Sequence, residues 1–174
     1  PPGRGGRVTR AGARPAAVTT PLGSTVTREV DGPAFIRAGP GIGVAATKTF
    51  ASQVATLAML AVTIGRDRGA LSAADARTVL RNLRGLPGAI QQVLDAEATI
   101  REAANEYSDS EAFFFVGRDL GVPVALEGAL KLKEISYDHA EGFAAGELKH
   151  GPLALVTSET PVLAVLTEWA RPDE

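Results

Sequence analysis

Two kinds of hydrophobic pattern alternate along this chain. Short apolar runs occur at Ala16-Ala17-Val18-Thr19, Phe35-Ile36-Arg37, Phe113-Phe114-Phe115-Val116 and Pro161 to Leu166. Each is too short for a helix and is bounded by turn residues, so each reads as a buried strand. Between them lie stretches with helical spacing. Ser24 can cap a short helix over Thr25 to Val30. A long helix is predicted from Val44 to Arg68, apolar on several faces, as in helices buried between neighbours. Ser72 opens another, and the pattern breaks at Leu86-Pro87, where Pro87 suits the first turn of a new helix running from Gly88 to Tyr107. A further helix spans Val122 to Tyr137. The glycine-rich stretch Gly142 to Gly151 is expected to hold only a short helix.

Strands that are continuously apolar and alternate with helices indicate an α/β fold with parallel sheets covered on both faces. The blocks fall at 11–69 and 108–174, with a helical connector at 70–107. In such sheets ligands sit beyond the carboxyl ends of the strands. Residues 1–10 are rich in Gly, Pro and Arg and bury little, so they read as a disordered or truncated end. The absence of a starting Met suggests a fragment.

Composition narrows the partners. Among 174 residues, Lys and Arg total 18 and Asp and Glu 20, a net charge of -2. That balance predicts neither nucleic acid nor an anionic membrane as partner. A Gly-Arg end can bind RNA, but the truncated end is the better reading. The longest apolar stretch, Val54 to Ile64, is shorter than the roughly 20 residues that span a bilayer. There is no cysteine. This excludes disulfides, thiolate metal sites and a cysteine nucleophile on these residues, and fits a soluble cytoplasmic protein.

Three segments could carry chemistry. Glu127, Lys131 and Glu134 are spaced four and three apart and share one helix face. That spacing is common on a solvated face. It is also how a carboxylate and an amine converge on a substrate, the carboxylate shuttling a proton and the ammonium stabilising enolate charge. His150 lies in a bent Lys-His-Gly-Pro segment, where an imidazole could serve proton transfer or be simply a structural histidine. His139 and Glu141 lack a third ligand for a metal. The loop Gly39 to Gly43 precedes a helix start and could meet an anion, though its spacing is that of neither a dinucleotide loop nor a Walker loop.

Taken together, these segments resemble the glucosamine-6-phosphate synthase family, also called isomerizing glutamine–fructose-6-phosphate aminotransferases. The resemblance runs through Ala125 to Tyr137, His139 to Gly142 and Ala145 to Leu155. It extends back to Ala34–Phe50, where Ala38-Gly39-Pro40 and Gly43 to Lys48 match. It implies two sugar-isomerase (SIS) domains, the end of the first and the beginning of the second lying on this chain. It implies Glu134 as the isomerisation acid-base, Lys131 as its partner, Glu127 as a further acidic site residue, and His150 as the residue that opens the sugar ring. The segment Val44 to Thr47, with Ala46, would line the sugar. In such dimers the histidine reaches the neighbouring subunit's site. The resemblance implies a sugar-phosphate substrate, no cofactor, no metal, a homodimer, and a glutaminase domain elsewhere on the full-length chain.

This sequence departs from the family at Ala46, where relatives commonly carry Ser, so a hydroxyl contact to the sugar is lost. The glutaminase domain with its cysteine nucleophile, the Ser-rich phosphate loop and the carboxyl-terminal lysine segment fall outside these residues, so the 174 residues alone are expected to be inactive. Two other classes share the SIS fold: sugar-phosphate deaminases or isomerases without a glutaminase, and non-catalytic sugar-sensing modules. Retention of Glu134, Lys131 and His150 together argues against the last.

Overall fold

The computed structural model describes residues 12–167, so the expected disorder of residues 1–10 lies outside the described residues. The chain divides into two compact units. Among the described residues, one takes in 12–42 and 46–92, the other 43–45 and 93–167.

In the first unit, β1 (Ala16–Thr19) pairs in parallel with β2 (Gly32–Phe35). The short helix α1 (Thr25–Arg28) joins them. Ser24 is its N-cap, but its hydroxyl makes no capping bond; Thr27 Oγ1 instead donates to the Ser24 carbonyl at 2.8 Å. The second strand lies earlier than the apolar run Phe35-Ile36-Arg37 suggests. Pairing with β1 fixes its register from Gly32, and Arg37 turns into the left-handed region at φ 47°, which ends the extended segment. Ile36 still donates to the Thr19 carbonyl at 3.1 Å.

Helix α2 (Thr47–Asp67) packs on β1. It was expected to be enclosed, yet only Val62 is buried, and Val54, Leu57, Met59, Leu60 and Ile64 remain exposed. A two-stranded sheet covers one stripe of a helix and cannot cover several. By length and composition alone α2 is also long and apolar enough to cross a membrane.

Helix α3 (Ala73–Asp95) begins with a satisfied cap: Ser72 Oγ accepts from the Asp75 N–H at 3.1 Å. It runs through Pro87 rather than restarting there. Pro87 is exposed, so the carbonyl that loses its helical partner there is open to water more readily than in a core. The break falls later, at Ala96, before α4 (Glu97–Glu106).

In the second unit, β3 (Ala112–Gly117) is the central strand of a parallel sheet ordered β4-β3-β5. The flanking strands are β4 (His139–Ala144) and β5 (Val162–Val165). The helix α5 (Gly121–Ser136) crosses between β3 and β4. The sequence pattern misses β4, because its residues His-Ala-Glu-Gly-Phe-Ala carry no apolar run. Their strand conformation comes from full pairing with β3, from Ala112 opposite His139 to Gly117 opposite Ala144.

The smallness of those residues is what the packing needs. Ala140 is fully buried, as are Ala125 and Ala129 on α5. Alternate residues of a strand share a face, so Ala140, Gly142 and Ala144 lie with Phe113, Phe115 and Gly117. On the other face Phe114 is buried and meets the Phe143 ring edge-on, centroids 5.6 Å apart.

Candidate functional site

Helix α5 carries the densest group of interacting charges among the described residues. Its buried positions Ala125 and Ala129 face the sheet, and at about 100° per residue this turns Glu127, Lys131 and Glu134 to the opposite side. Lys131 Nζ donates to Glu134 Oε2 at 2.5 Å and lies 3.4 Å from Glu127 Oε1. One ammonium therefore bridges two carboxylates.

Exposure separates this group from an ordinary surface pair. The Arg101–Glu97 pair on α4 has the same i,i+4 spacing, and its side chains are 68% and 71% exposed. Lys131, Glu127 and Glu134 are 16%, 23% and 26% exposed, although they lie on the side of α5 turned away from the sheet. A merely solvated face would resemble the first pair. The hydrogen bond with Glu134 raises the Lys131 pKa above its ordinary 10.5, opposed by partial desolvation and reinforced by the charges of Glu127 and Glu134. The lysine is thus held as a cation between two acids, an arrangement suited to a carboxylate that moves a proton beside a fixed positive charge.

The helix ends at Tyr137 in the left-handed conformation, φ 67°, where its N–H donates to the Lys133 carbonyl at 3.2 Å. Three residues beyond Glu134 the chain has therefore turned toward β4.

His150 is elsewhere. It closes a 3₁₀ turn (Leu148–His150) beyond the carboxyl end of β4, and it is exposed. Its N–H donates to the Glu147 carbonyl at 3.0 Å, and Gly151, at φ 147°, reverses the chain before Pro152. A helix joining two parallel neighbouring strands must run back along the sheet. So Glu134 lies toward the amino end of β4 and His150 past its carboxyl end. The structure does not bring these two residues together within this unit. The rule that ligands bind beyond carboxyl strand ends fits His150 and not the group on α5.

Ala46 is the N-cap of α2 and Thr47 its first residue; both are exposed, as is Val44 before them. Lys48 folds back, Nζ donating to the Pro40 carbonyl at 2.6 Å across the loop that Gly39 opens at φ 72°. His139 Nε2 lies 3.2 Å from Glu141 Oε1, both exposed on one face of β4. Among the described residues no three His, Asp or Glu side chains gather as a metal site.

Sequence reasoning missed the glycines that seat α5. A Cβ on Gly142 would lie 2.8 Å from Leu126 Cα, and one on Gly128 would lie 2.9 Å from Phe115 Cδ1. The available signal was a glycine amid strong helix formers, Glu127-Gly128-Ala129, where glycine costs about 1 kcal/mol relative to alanine unless packing requires it.

The parallel sheet flanked by helices is an SIS-type α/β fold, and residues 106–168 match the SIS domain family. Over 162 residues, 93% of its length, the chain is 67% identical to the glutamine–fructose-6-phosphate aminotransferase (isomerizing) of Halobacterium salinarum. It is 47% identical over 159 residues to the enzyme of the same name from Thermus thermophilus, covering 91% of this chain. It spans 27% and 26% of those two relatives. Among solved structures, the C-terminal domain of glucosamine-fructose-6-phosphate aminotransferase from Francisella tularensis superimposes with a TM-score of 0.89 at 37% identity, covering 92% of this chain and 46% of that one.

Proposed function

We propose that this chain is part of the isomerase region of a glutamine–fructose-6-phosphate aminotransferase (isomerizing), which converts fructose 6-phosphate and glutamine-derived ammonia to glucosamine 6-phosphate. The observation that carries this reading is the half-buried Glu127–Lys131–Glu134 group, in a sequence 67% identical to a protein of that name. Residues 11–69 would be the end of a first SIS domain, 70–107 a connector and 108–174 the beginning of a second. The partners would be a sugar phosphate, a glutaminase domain on the same full-length chain and a second copy in a homodimer, in the cytoplasm, without nucleic acid, membrane or cofactor.

The reaction makes a 2-amino aldose from a 2-ketose, so a proton must move between C1 and C2. In this reading Glu134 moves it, Lys131 steadies the developing enolate charge, and Glu127 orients the sugar and the lysine. His150 assists ring opening, and Val44, Ala46 and Thr47 contact the sugar. Loss of a general acid-base costs about 100- to 10,000-fold. In the full-length protein, Glu134→Gln is expected to bind fructose 6-phosphate by calorimetry yet lose product formation by that factor. Turnover near wild type would refute the assignment.

A further inference from the structure

We infer that Gly128 is a positioning residue for Glu127, Lys131 and Glu134, acting through Phe115; the inference rests on the function proposed above. Helix α5 carries all three charged residues and is seated by small residues. Ala125, Ala129 and Ala140 are buried. A Cβ on Gly128 would lie 2.9 and 3.0 Å from Phe115 Cδ1 and Cε1. Ordinary carbon contacts are about 3.5–4.0 Å, so an added methyl requires a movement of about 0.5–1 Å. Phe115 stands on the central strand, opposite Gly142 on β4 and Leu163 on β5. Gly142 in turn lies under Leu126. These two close approaches of α5 to the sheet flank Glu127 in sequence, and with those at Gly117 and Gly121 near the start of the helix they set how it stands above the strands.

Raising or rolling α5 moves its three charges as one body. Their mutual distances survive, but their placement against a sugar held by other elements does not. A displacement near 1 Å costs on the order of 100-fold in rate, since catalysis depends on near-attack geometry. The effect belongs in kcat rather than in KM if the phosphate and hydroxyls are held elsewhere.

The test uses the full-length protein with fructose 6-phosphate and glutamine. Gly128→Ala is expected to lower kcat about 10- to 100-fold with KM changed less than about 3-fold. Replacing the ring removes the obstacle, so Gly128→Ala with Phe115→Leu is expected to recover most of the lost kcat. Phe115→Leu alone opens a gap under Gly128 and is expected to lower kcat with the fold retained. If Gly128→Ala does not fold, the recovery from Phe115→Leu to the double variant decides. A folded Gly128→Ala with wild-type kcat would mean that the Phe115 ring simply turns into the adjoining cavity of about 660 Å³, lined also by Phe113, Tyr107 and Leu132, and would overturn the inference. So would a double variant no faster than the slower single. Glu134→Gln is run alongside: if it keeps turnover, the functional reading itself fails, whereas an inactive Glu134→Gln beside a fully active Gly128→Ala removes only the positioning role.

Discussion

The Lys131 ammonium sits 2.5 Å from Glu134 and 3.4 Å from Glu127, so the cation leans toward the residue one helical turn nearer the end of α5. In the function proposed above, the close ammonium would be a fixed charge beside the reacting centre, while the second carboxylate holds the lysine from its other side. The three side chains are on one rigid element, which preserves their spacing better than loops would.

The raised Lys131 pKa has a definite consequence for stability. The folded pKa lies above the ordinary value of 10.5, mainly through the Glu134 hydrogen bond. The stabilising effect is therefore fully present below the ordinary lysine range and is lost as pH rises through the higher folded value. The difference in melting temperature between wild type and Lys131→Met is expected to stay flat from neutral pH toward 10.5 and to narrow above it. A difference that already narrows between about pH 7 and 9 would show that another group controls it.

Tyr137 ends α5 at φ 67° and its side chain is largely exposed. A left-handed residue with a Cβ costs about 1–2 kcal/mol, part of which glycine returns through its larger unfolded-state entropy. Little packing is lost on removing an exposed ring. Tyr137→Gly is expected to stabilise the fold by about 0.5–1 kcal/mol in urea unfolding, and Tyr137→Val to destabilise it.

Much of the fold was legible because apolar runs are local. Phe113 to Val116 and Ala16 to Thr19 are strands for that reason, and α5 was placed within a residue at each end. Strand β4 was not legible, because its small and polar residues are held by pairing with β3 and by the approach of α5, both non-local. Pro87 misled for a related reason: the local cost of a proline in a helix, about 3 kcal/mol, can be outweighed by the rest of a long helix, which the local sequence does not show. For the site, spacing alone put Glu127, Lys131 and Glu134 on one face. What spacing could not supply was their partial burial, which separates them from Glu97 and Arg101.

Gly117 closes β3 where α5 begins. A Cβ there would lie 2.2 Å from the Gly121 carbonyl oxygen and 2.7 Å from the Val122 nitrogen, both backbone atoms. The Gly117 carbonyl also accepts from the Ala145 N–H at 2.8 Å, so the strand cannot withdraw without breaking that bond. Overpacking of this kind costs about 1–3 kcal/mol or more. Gly117→Ala is expected to destabilise by at least about 2 kcal/mol in urea unfolding, toward the upper end of that range. A change under about 0.5 kcal/mol would show that the start of α5 is free to move.

The separation of Glu134 from His150 leads to the last prediction. Six residues of β4, His139–Ala144, lie between the end of α5 and the turn that carries His150. A strand of that length spans about 20 Å, whereas an acid or base must come within about 3 Å of the atom it serves. The family resemblance implies that the histidine serves the neighbouring subunit's site, and the placement of these two residues toward opposite ends of β4 fits that implication. In a two-fold dimer of the full-length protein, each site would then combine Glu134 of one chain with His150 of the other. Inactive Glu134→Gln and inactive His150→Ala proteins, unfolded and refolded together in equal amounts, give half hybrid dimers, each with one intact site. About a quarter of wild-type activity is expected to return if the dimer is symmetric and its sites independent. Proven hybrids without recovery would place both residues in one chain's site, or remove His150 from the reaction.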